Sequence, residues 1–579
     1  MSKPQKKASV RIRLAVVGSV FLLLLSVIMV RAAYLQVLPS PSLADRGRTQ
    51  TIREVALTGT RGAILTRSMR ELAVSTDSAS VAVRPSQITD TNVAQTASAL
   101  SEILGMSRKK IAKKLTSRRR FVWIKRQISP REKAALNALN LDGLICTEDS
   151  TRFYPQKELA GQIIGFCGVD QVGLEGLEYH YNKVLKGRTA EMTLVKDARS
   201  RCYNRQGERG RDGDSLVLTL DETIQYVTEK ALSEAVRKHK AASGMAVVMD
   251  PATGAVLALA HYPAFNPNGF RAFTPDIWRN RAVTDPFEPG STLKVFLASA
   301  ALESGSCSPR SIFYCENGNY RVGPDVIHDT HPEKWLSLSG IIQHSSNIGA
   351  AKISEKIGKR DLYAFLTRFG FGVPSLVGCP AETAGLLPPH ERWTPLDRCA
   401  IAFGQGISVS AIQLAAATSA IANGGTLMKP YIVRAITDEN RQIRDLFSPE
   451  PVRRVISEKT AASVRGMMMM AVSEEGTGSN ALVEGYPVAG KTGTAQKAGR
   501  NGTYARGKYI ASFVGFAPVE NPSVTVLVVI DEPKDAYYGG VVAAPVFRDI
   551  VRETLTYLNV RPTGLNHQLL VDRKGDIRG

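Results

Sequence analysis

Three short strings in the C-terminal half constrain this chain more than any other feature: Ser291-Thr292-Leu293-Lys294, Ser345-Ser346-Asn347 and Lys491-Thr492-Gly493-Thr494. Their first residues lie 54 and then 146 positions apart, so a fold that joins them must close two long segments onto one place. Alone, each string has an ordinary reading: an N-cap serine with a solvated lysine, a helix–helix turn rich in capping residues, and a hairpin strand with an exposed lysine. All three together and in this order point to serine acyl transfer.

The chemistry gives each position a reason. Glu288-Pro289-Gly290 reads as a turn, and the run Ser291 to Ser304 is free of Pro and Gly until Gly305 stops it, which predicts a helix opening at Ser291. A serine there faces unpaired backbone N–H groups and the positive end of the helix dipole, which suits a nucleophile whose attack creates an oxyanion. Lys294 lies one turn on, on the same face. A lysine acts as a base only if its pKa falls, and burial together with a cationic Lys491 nearby would do that. Ser345 to Asn347 lies between two helical stretches, Ser337 to Gln343 and Ile348 to Ile357. Lys491 to Thr494 reads as an edge strand, with Gly493 leaving room for a close backbone approach.

At these residues the chain resembles the penicillin-interacting transpeptidases. The resemblance implies that Ser291, Lys294, Ser345 and Lys491 are catalytic, with Ser345 relaying a proton between Lys294 and the leaving or attacking amine. It implies that Asn347 holds the substrate backbone, that Lys491 with the Thr492 and Thr494 hydroxyls holds a substrate carboxylate beside Gly493, and that the Ser291 and Thr494 N–H groups form the oxyanion hole. Ahead of this region, Thr60 to Arg67 with Glu71-Leu72-Ala73, then Arg152-Phe153-Tyr154-Pro155, Ile163 to Phe166 and Gly173 to Glu178 resemble the non-catalytic domain of class B, monofunctional members. The chain departs from them at Thr66-Arg67-Ser68-Met69-Arg70, where the family carries an Asp-Arg-Asn-Gly-like turn. Ala402 to Gln413, before an apolar helix ending at Ala422, also resembles family sequence.

Placement agrees. Five cations precede residue 14 (Lys3, Lys6, Lys7, Arg11, Arg13), and Leu14 to Val30 is 17 uncharged residues, short for a span but extended by Arg31, which can snorkel. The basic flank predicts a cytoplasmic N-terminus with everything after residue 38 outside. A cleaved signal peptide is the rival, with Val30-Arg31-Ala32 as its cleavage site, but the apolar run exceeds the usual signal core and favours an uncleaved anchor. Seven scattered cysteines form no Cys-x-x-Cys pair, which argues against zinc and redox motifs. Cys307 and Cys315 are near enough for a local disulfide, and two buried thiols are the alternative. The net charge of +21 is concentrated in the anchor flank and in Arg108 to Arg126. Outside the membrane such a stretch would meet anionic headgroups, wall polymers or an acidic partner, or simply be a solvated helix face before the strand Phe121 to Ile124. A nucleic-acid partner is not expected.

Asp214 to Leu220 reads as a strand, Thr223 to Lys240 as a helix, Gly244 to Asp250 and Gly254 to Ala260 as a hairpin, Tyr509 to Ala517 and Val524 to Asp531 as two strands, and Pro545 to Tyr557 as a closing helix. Met467 to Met470 reads as helix core. The expected fold is α+β: an antiparallel sheet flanked by helices, as in the penicillin-binding transpeptidases, with an elongated N-terminal dimerisation or pedestal domain and one transmembrane helix. The expected parts are a cytoplasmic tail at 1–13, an anchor at 14–35, the pedestal at 39–214, the transpeptidase domain at 215–560 and a tail at 561–579.

The resemblance therefore implies a division-type, FtsI-like class B transpeptidase of the inner (plasma) membrane, with its catalytic domain periplasmic or otherwise outside the cytoplasm. It would cross-link peptidoglycan stem peptides, a D-Ala–D-Ala donor to an amine acceptor, without cofactor or metal, and be acylated by β-lactams at Ser291. Its implied partners are a membrane glycosyltransferase of the SEDS family and division-complex proteins. Asn347 favours division over elongation, since elongation-type relatives tend to carry Ser-Ser-Asp there. A β-lactamase would need a deacylating Glu, and none stands out. A non-enzymatic β-lactam sensor would have lost Ser291 or Lys294, and both are intact.

Overall fold

The computed structural model of the chain describes residues 5–37, 52–88, 93–139, 141, 143–196, 202–206, 211–498 and 504–563. The first four residues of the expected cytoplasmic tail, and the expected C-terminal tail beyond 563, lie outside them. The backbone divides into two compact units, Met1–Gly59 with Gly187–Arg211, and Thr60–Lys186 with Asp212–Gly579. In the first, the helix Gln5–Val37 carries a stretch, Ser9–Gln36, long and apolar enough to cross a membrane, and none of it is buried by protein. The same unit holds a three-stranded antiparallel sheet in the order Ile52–Thr58, Thr189–Lys196, Cys202–Gln206.

The second unit is built on a five-stranded antiparallel sheet. Its strands are β1 (Ser243–Met249), β2 (Val256–Tyr262), β3 (Ala489–Ala498), β4 (Tyr504–Ala517) and β5 (Val524–Asp531), in the order β2-β1-β5-β4-β3. Side chains alternate across a strand. Met245, Val247 and Met249 therefore join one core, with Val295, Phe296 and Leu414, while Ala246 and Val248 join another, with Ile224, Leu232, Phe547 and Ile550. Helices cover both faces, so every residue of β1 is buried and, after Ser243, its sequence is apolar without a polar beat. The covering helices are α1 (Glu222–Lys238), α2 (Lys294–Glu303), α3 (Leu338–His344), α4 (Asn347–Ile357), α5 (Ala411–Ala422) and α6 (Ala544–Tyr557). All twelve residues of α5 are buried, the polar Gln413, Thr418 and Ser419 included. Its start is fixed by a reciprocal capping box: Gln413 N donates to Ser410 Oγ at 3.2 Å, and Ser410 N donates to Gln413 Oε1 at 2.8 Å. β3 is one of the two edge strands of the sheet.

A second sheet of seven strands links segments distant in sequence. Ser215–Leu218 pairs parallel with Ile64–Leu65 on one side and antiparallel with Val433–Thr437 on the other. Strands on both sides of residue 214 thus share one sheet, which simple alternation of modules along the chain does not suggest. The pedestal-like motifs converge on Glu178, which is fully buried. It accepts from Arg61 Nε and Arg152 Nε, both at 2.6 Å, and from Tyr154 OH at 3.4 Å. Burial pushes its carboxyl up, and the two guanidiniums overcome that and hold it below the ordinary value.

The divergent segment Thr66 to Arg70 still forms a turn, closed by Thr66 N donating to Arg70 O at 2.8 Å and Met69 N donating to Thr66 O at 3.0 Å. Met69 takes φ of +64°, the left-handed conformation that glycine adopts without steric cost. Cys307 and Cys315 are buried free thiols. In the helix Glu458–Met470, Met467 and Met468 are core, whereas Met469 and Met470 are exposed. The methionine run spans more than one helix face, so only its first half is buried.

Candidate active site

A single turn of 3-10 helix, Gly290–Leu293, leads into α2. It is pinned from two sides. Gly290 N donates to Gly404 O at 3.0 Å, and Gly406 N donates to Glu288 Oε1 at 3.0 Å. Gly404 has φ of +83°, and a Cβ there would lie 2.0 Å from Gly290 O, so no other residue fits against the turn. Ser291 is thereby presented at the mouth of a cleft of about 420 Å³.

Lys294 is completely buried beneath it. Its Nζ lies 2.7 Å from Ser345 O, 2.8 Å from Asn347 Oδ1, 2.9 Å from Ser291 Oγ and 3.3 Å from Ser345 Oγ. Burial drives its pKa well down, the charge of Lys491 drives it further, and Asp329 opposes both. The bonding then has a consequence. A neutral amine has two N–H groups and one lone pair. The Ser345 carbonyl can only accept, and so can Asn347 Oδ1, whose amide nitrogen is already committed to His328 O at 3.0 Å. Those two acceptors take both N–H groups, leaving the lone pair for the Ser291 hydroxyl proton. That is the arrangement a general base needs.

The Ser345 carbonyl reaches Lys294 because Ser345 sits at φ of +63°, between the end of α3 and the start of α4. Such a conformation costs of order 1–3 kcal/mol outside glycine and persists only where the surroundings hold it. Here Asp329 holds them. One carboxylate oxygen accepts from Asn347 N and from Ile348 N, the latter at 3.0 Å, and the other accepts from Ser346 Oγ at 2.5 Å. Ser346 in turn caps α4, accepting from Gly349 N at 2.9 Å.

β3 forms the opposite wall. Thr492 and Thr494 face the cleft, where Thr494 Oγ1 accepts from Gly539 N at 3.0 Å and Thr492 Oγ1 lies 2.9 Å from Thr477 Oγ1. Lys491 is completely buried, its Nζ lies 3.4 Å from Thr492 O and 3.3 Å from Thr492 Oγ1, and burial brings its pKa down to about 7. Gly493 also packs tightly against the protein itself. A Cβ there would meet Ser512 Oγ at 2.3 Å, with Pro289 O and Thr292 Cγ2 at 2.9 Å. The glycine lets β3 lie against the turn that carries Ser291.

All eight sequence-derived residues therefore meet in one place. Ser291, Ser345, Asn347, Thr492 and Thr494 line the cleft, and Lys294, Lys491 and Gly493 lie behind its walls. The sequence reading missed Asp329, Thr477, Asn480, Tyr538 and Gly539. Asp329, Thr477 and Tyr538 stand in loops or turns, Asn480 in a short 3-10 turn and Gly539 at the start of a four-residue helix, with no spacing rule to mark them. Among the described residues no group of three His, Cys, Asp or Glu side chains is placed to hold a metal.

Residues 244–552 match the family of penicillin-binding protein transpeptidase domains, and residues 56–218 match the penicillin-binding protein dimerisation domain. This chain belongs to the class B penicillin-binding proteins. It is 35% identical to a probable peptidoglycan D,D-transpeptidase PenA of Neisseria gonorrhoeae over 95% of this chain and 94% of that one. It is 33% identical to the peptidoglycan D,D-transpeptidase FtsI of Escherichia coli over 96% of this chain and 93% of the other. Among solved structures, penicillin-binding protein 3 of Mycobacterium tuberculosis in complex with aztreonam aligns with a TM-score of 0.69 at 28% identity, covering 88% of this chain and 98% of that one. As a class B penicillin-binding protein the chain is a serine-type peptidoglycan D,D-transpeptidase.

Proposed function

We propose that this class B transpeptidase works through a Ser291 acyl-enzyme in septal wall synthesis. The observation that carries the assignment is the 2.9 Å contact between Lys294 Nζ and Ser291 Oγ at a buried, pKa-depressed lysine. Lys294 takes the Ser291 proton as Oγ attacks the D-Ala–D-Ala carbonyl. The developing oxyanion is met by the Ser291 and Thr494 N–H groups. As the C–N bond breaks, Lys294 and Ser345 return the proton to the departing D-Ala amine. An amine from a second stem peptide then attacks the ester, gives its proton back along the same route, and leaves Ser291 free. Thr492 and Thr494, with Lys491 behind them, hold the terminal carboxylate, and Asn347 holds the donor backbone. β-Lactams present the same carbonyl and acylate Ser291, consistent with the aztreonam complex of the mycobacterial relative.

Asn347 and the likeness to FtsI support a septal role, and elongation is the second reading. The basic flank before Leu14 supports an anchor with its N-terminus in the cytoplasm and its catalytic domain outside, where a SEDS-family glycosyltransferase and division proteins would meet the pedestal. Residues 39–214 are the proposed pedestal, 215–560 the catalytic domain and 561–579 the tail. The test is labelling of the full chain with fluorescent penicillin. The expected result is one adduct per chain on the Ser291 peptide and none on Ser291→Ala; a wild-type adduct on that variant would remove Ser291 from the mechanism.

A further inference from the structure

The reaction leaves one charged surface unexplained. In the helix Arg108–Leu115, Ile111 and Leu115 point into a small core of their own, with Leu100, Leu104 and Ile124. Lys109, Lys110 and Lys113 are exposed, and so are Arg118, Arg119 and Arg120 in the turn that follows. Among the described residues none of these six has a carboxylate within ion-pair distance. Their neighbours differ: Lys125 pairs with Glu132, and Arg126 pairs with Asp149 and Asp170. Beside the unpaired cations stand two exposed aromatic rings. Phe121 and Trp123 are 42% and 37% exposed, pack edge to face with centroids 4.9 Å apart, and the Arg126 guanidinium lies over Trp123 at 4.8 Å.

Unpaired cations attract a polyanion, and the question is which. A helix that enters a lipid interface turns an apolar stripe outward. Here the helix turns Ile111 and Leu115 inward and exposes Arg108, Lys109, Lys110 and Lys113, so it has no apolar stripe to insert. Exposed aromatic faces next to cations suit a hydrated polymer that carries both sugar rings, whose C–H faces stack on aromatics, and carboxylates. Resting on the transpeptidase reading above, we propose that this surface is a second binding site for the peptidoglycan polymer. The cations would take stem-peptide carboxylates and the Phe121–Trp123 pair a sugar face. Such a site would hold a strand on the enzyme between acyl transfers, raising the effective concentration of its stems at the Ser291 cleft.

The test uses the full chain in nanodiscs of zwitterionic phosphatidylcholine, which occupies the membrane helix. Co-sedimentation with purified sacculi is compared for wild type, a variant with all six cations changed to Gln, and Trp123→Ala. At least a fivefold loss for the first variant and threefold for the second are expected, with wild-type binding weakening as salt rises. Sacculi stripped of stem peptides should bind less well than intact ones. Fluorescent penicillin labelling should be unchanged in both variants, which shows that they are folded and keeps the fate of the Ser291 assignment separate from this one. Undiminished sacculus binding by the six-cation variant would overturn the proposal. So would stronger wild-type binding to phosphatidylglycerol vesicles than to sacculi, in favour of a lipid surface.

Discussion

At the residue scale, the site depends on keeping a buried lysine neutral and aiming its lone pair. Lys294→Arg replaces this neutral amine with a group that cannot be deprotonated in this pH range. Penicillin acylation should fall by on the order of 10³-fold, the usual worth of a general base, read from stopped-flow labelling; near wild-type rates would shift the base to a Ser345-centred route. Lys491→Met probes the electrostatics. The Lys491 charge helps depress Lys294, and that charge is present chiefly below its own value of about 7. Removing it should raise the pKa of Lys294. A base works deprotonated, so the acidic limb of the acylation–pH profile should move to higher pH; a shift toward acid would contradict the coupling. The stability sign is the same for both lysines. Each has a folded pKa below its unfolded value of 10.5, so the unfolded chain binds more protons in between, and stability rises with pH across that window.

At the scale of elements, catalysis needs β3 flush against the Ser291 turn. Gly493→Ala forces its Cβ into Ser512 Oγ, Pro289 O and Thr292 Cγ2. The expected cost is about 1–3 kcal/mol, as for other overpacked sites. Because two of the three obstacles belong to the turn itself, the acylation rate should fall together with the melting temperature. A variant that melts lower but acylates normally would show that the strand yields instead of the turn. The Ser345 loop is held in the same spirit: Asp329 ties the first amides of α4 and so fixes the carbonyl that faces Lys294.

At the scale of the whole molecule, none of the site residues belongs to the long apolar helix Gln5–Val37. Replacing Leu14 to Val30 with a cleavable signal should leave penicillin acylation of the released enzyme intact. The same replacement should abolish function in growing cells, because anchoring in two dimensions supplies the effective concentration of nascent strands. Normal division with the secreted form would reduce the anchor to an export signal.

The sequence by itself determined which residues would meet. The three strings encode reactive groups whose roles depend on local spacing: a serine and a lysine one helical turn apart, a capping turn, an edge strand. The hairpin of Gly244 to Asp250 with Gly254 to Ala260 and the apolar helix ending at Ala422 were likewise legible from local pattern. Only the tertiary structure decided the rest. Asp329 acts from a loop with no periodicity to mark it. Gly493 packs against Ser512, Pro289 and Thr292, which come from other segments of the chain. The sheet that joins Ile64–Leu65, Ser215–Leu218 and Val433–Thr437 pairs strands far apart in the chain. In each case the cause is a contact between segments distant in sequence, and local propensity carries no record of such a contact.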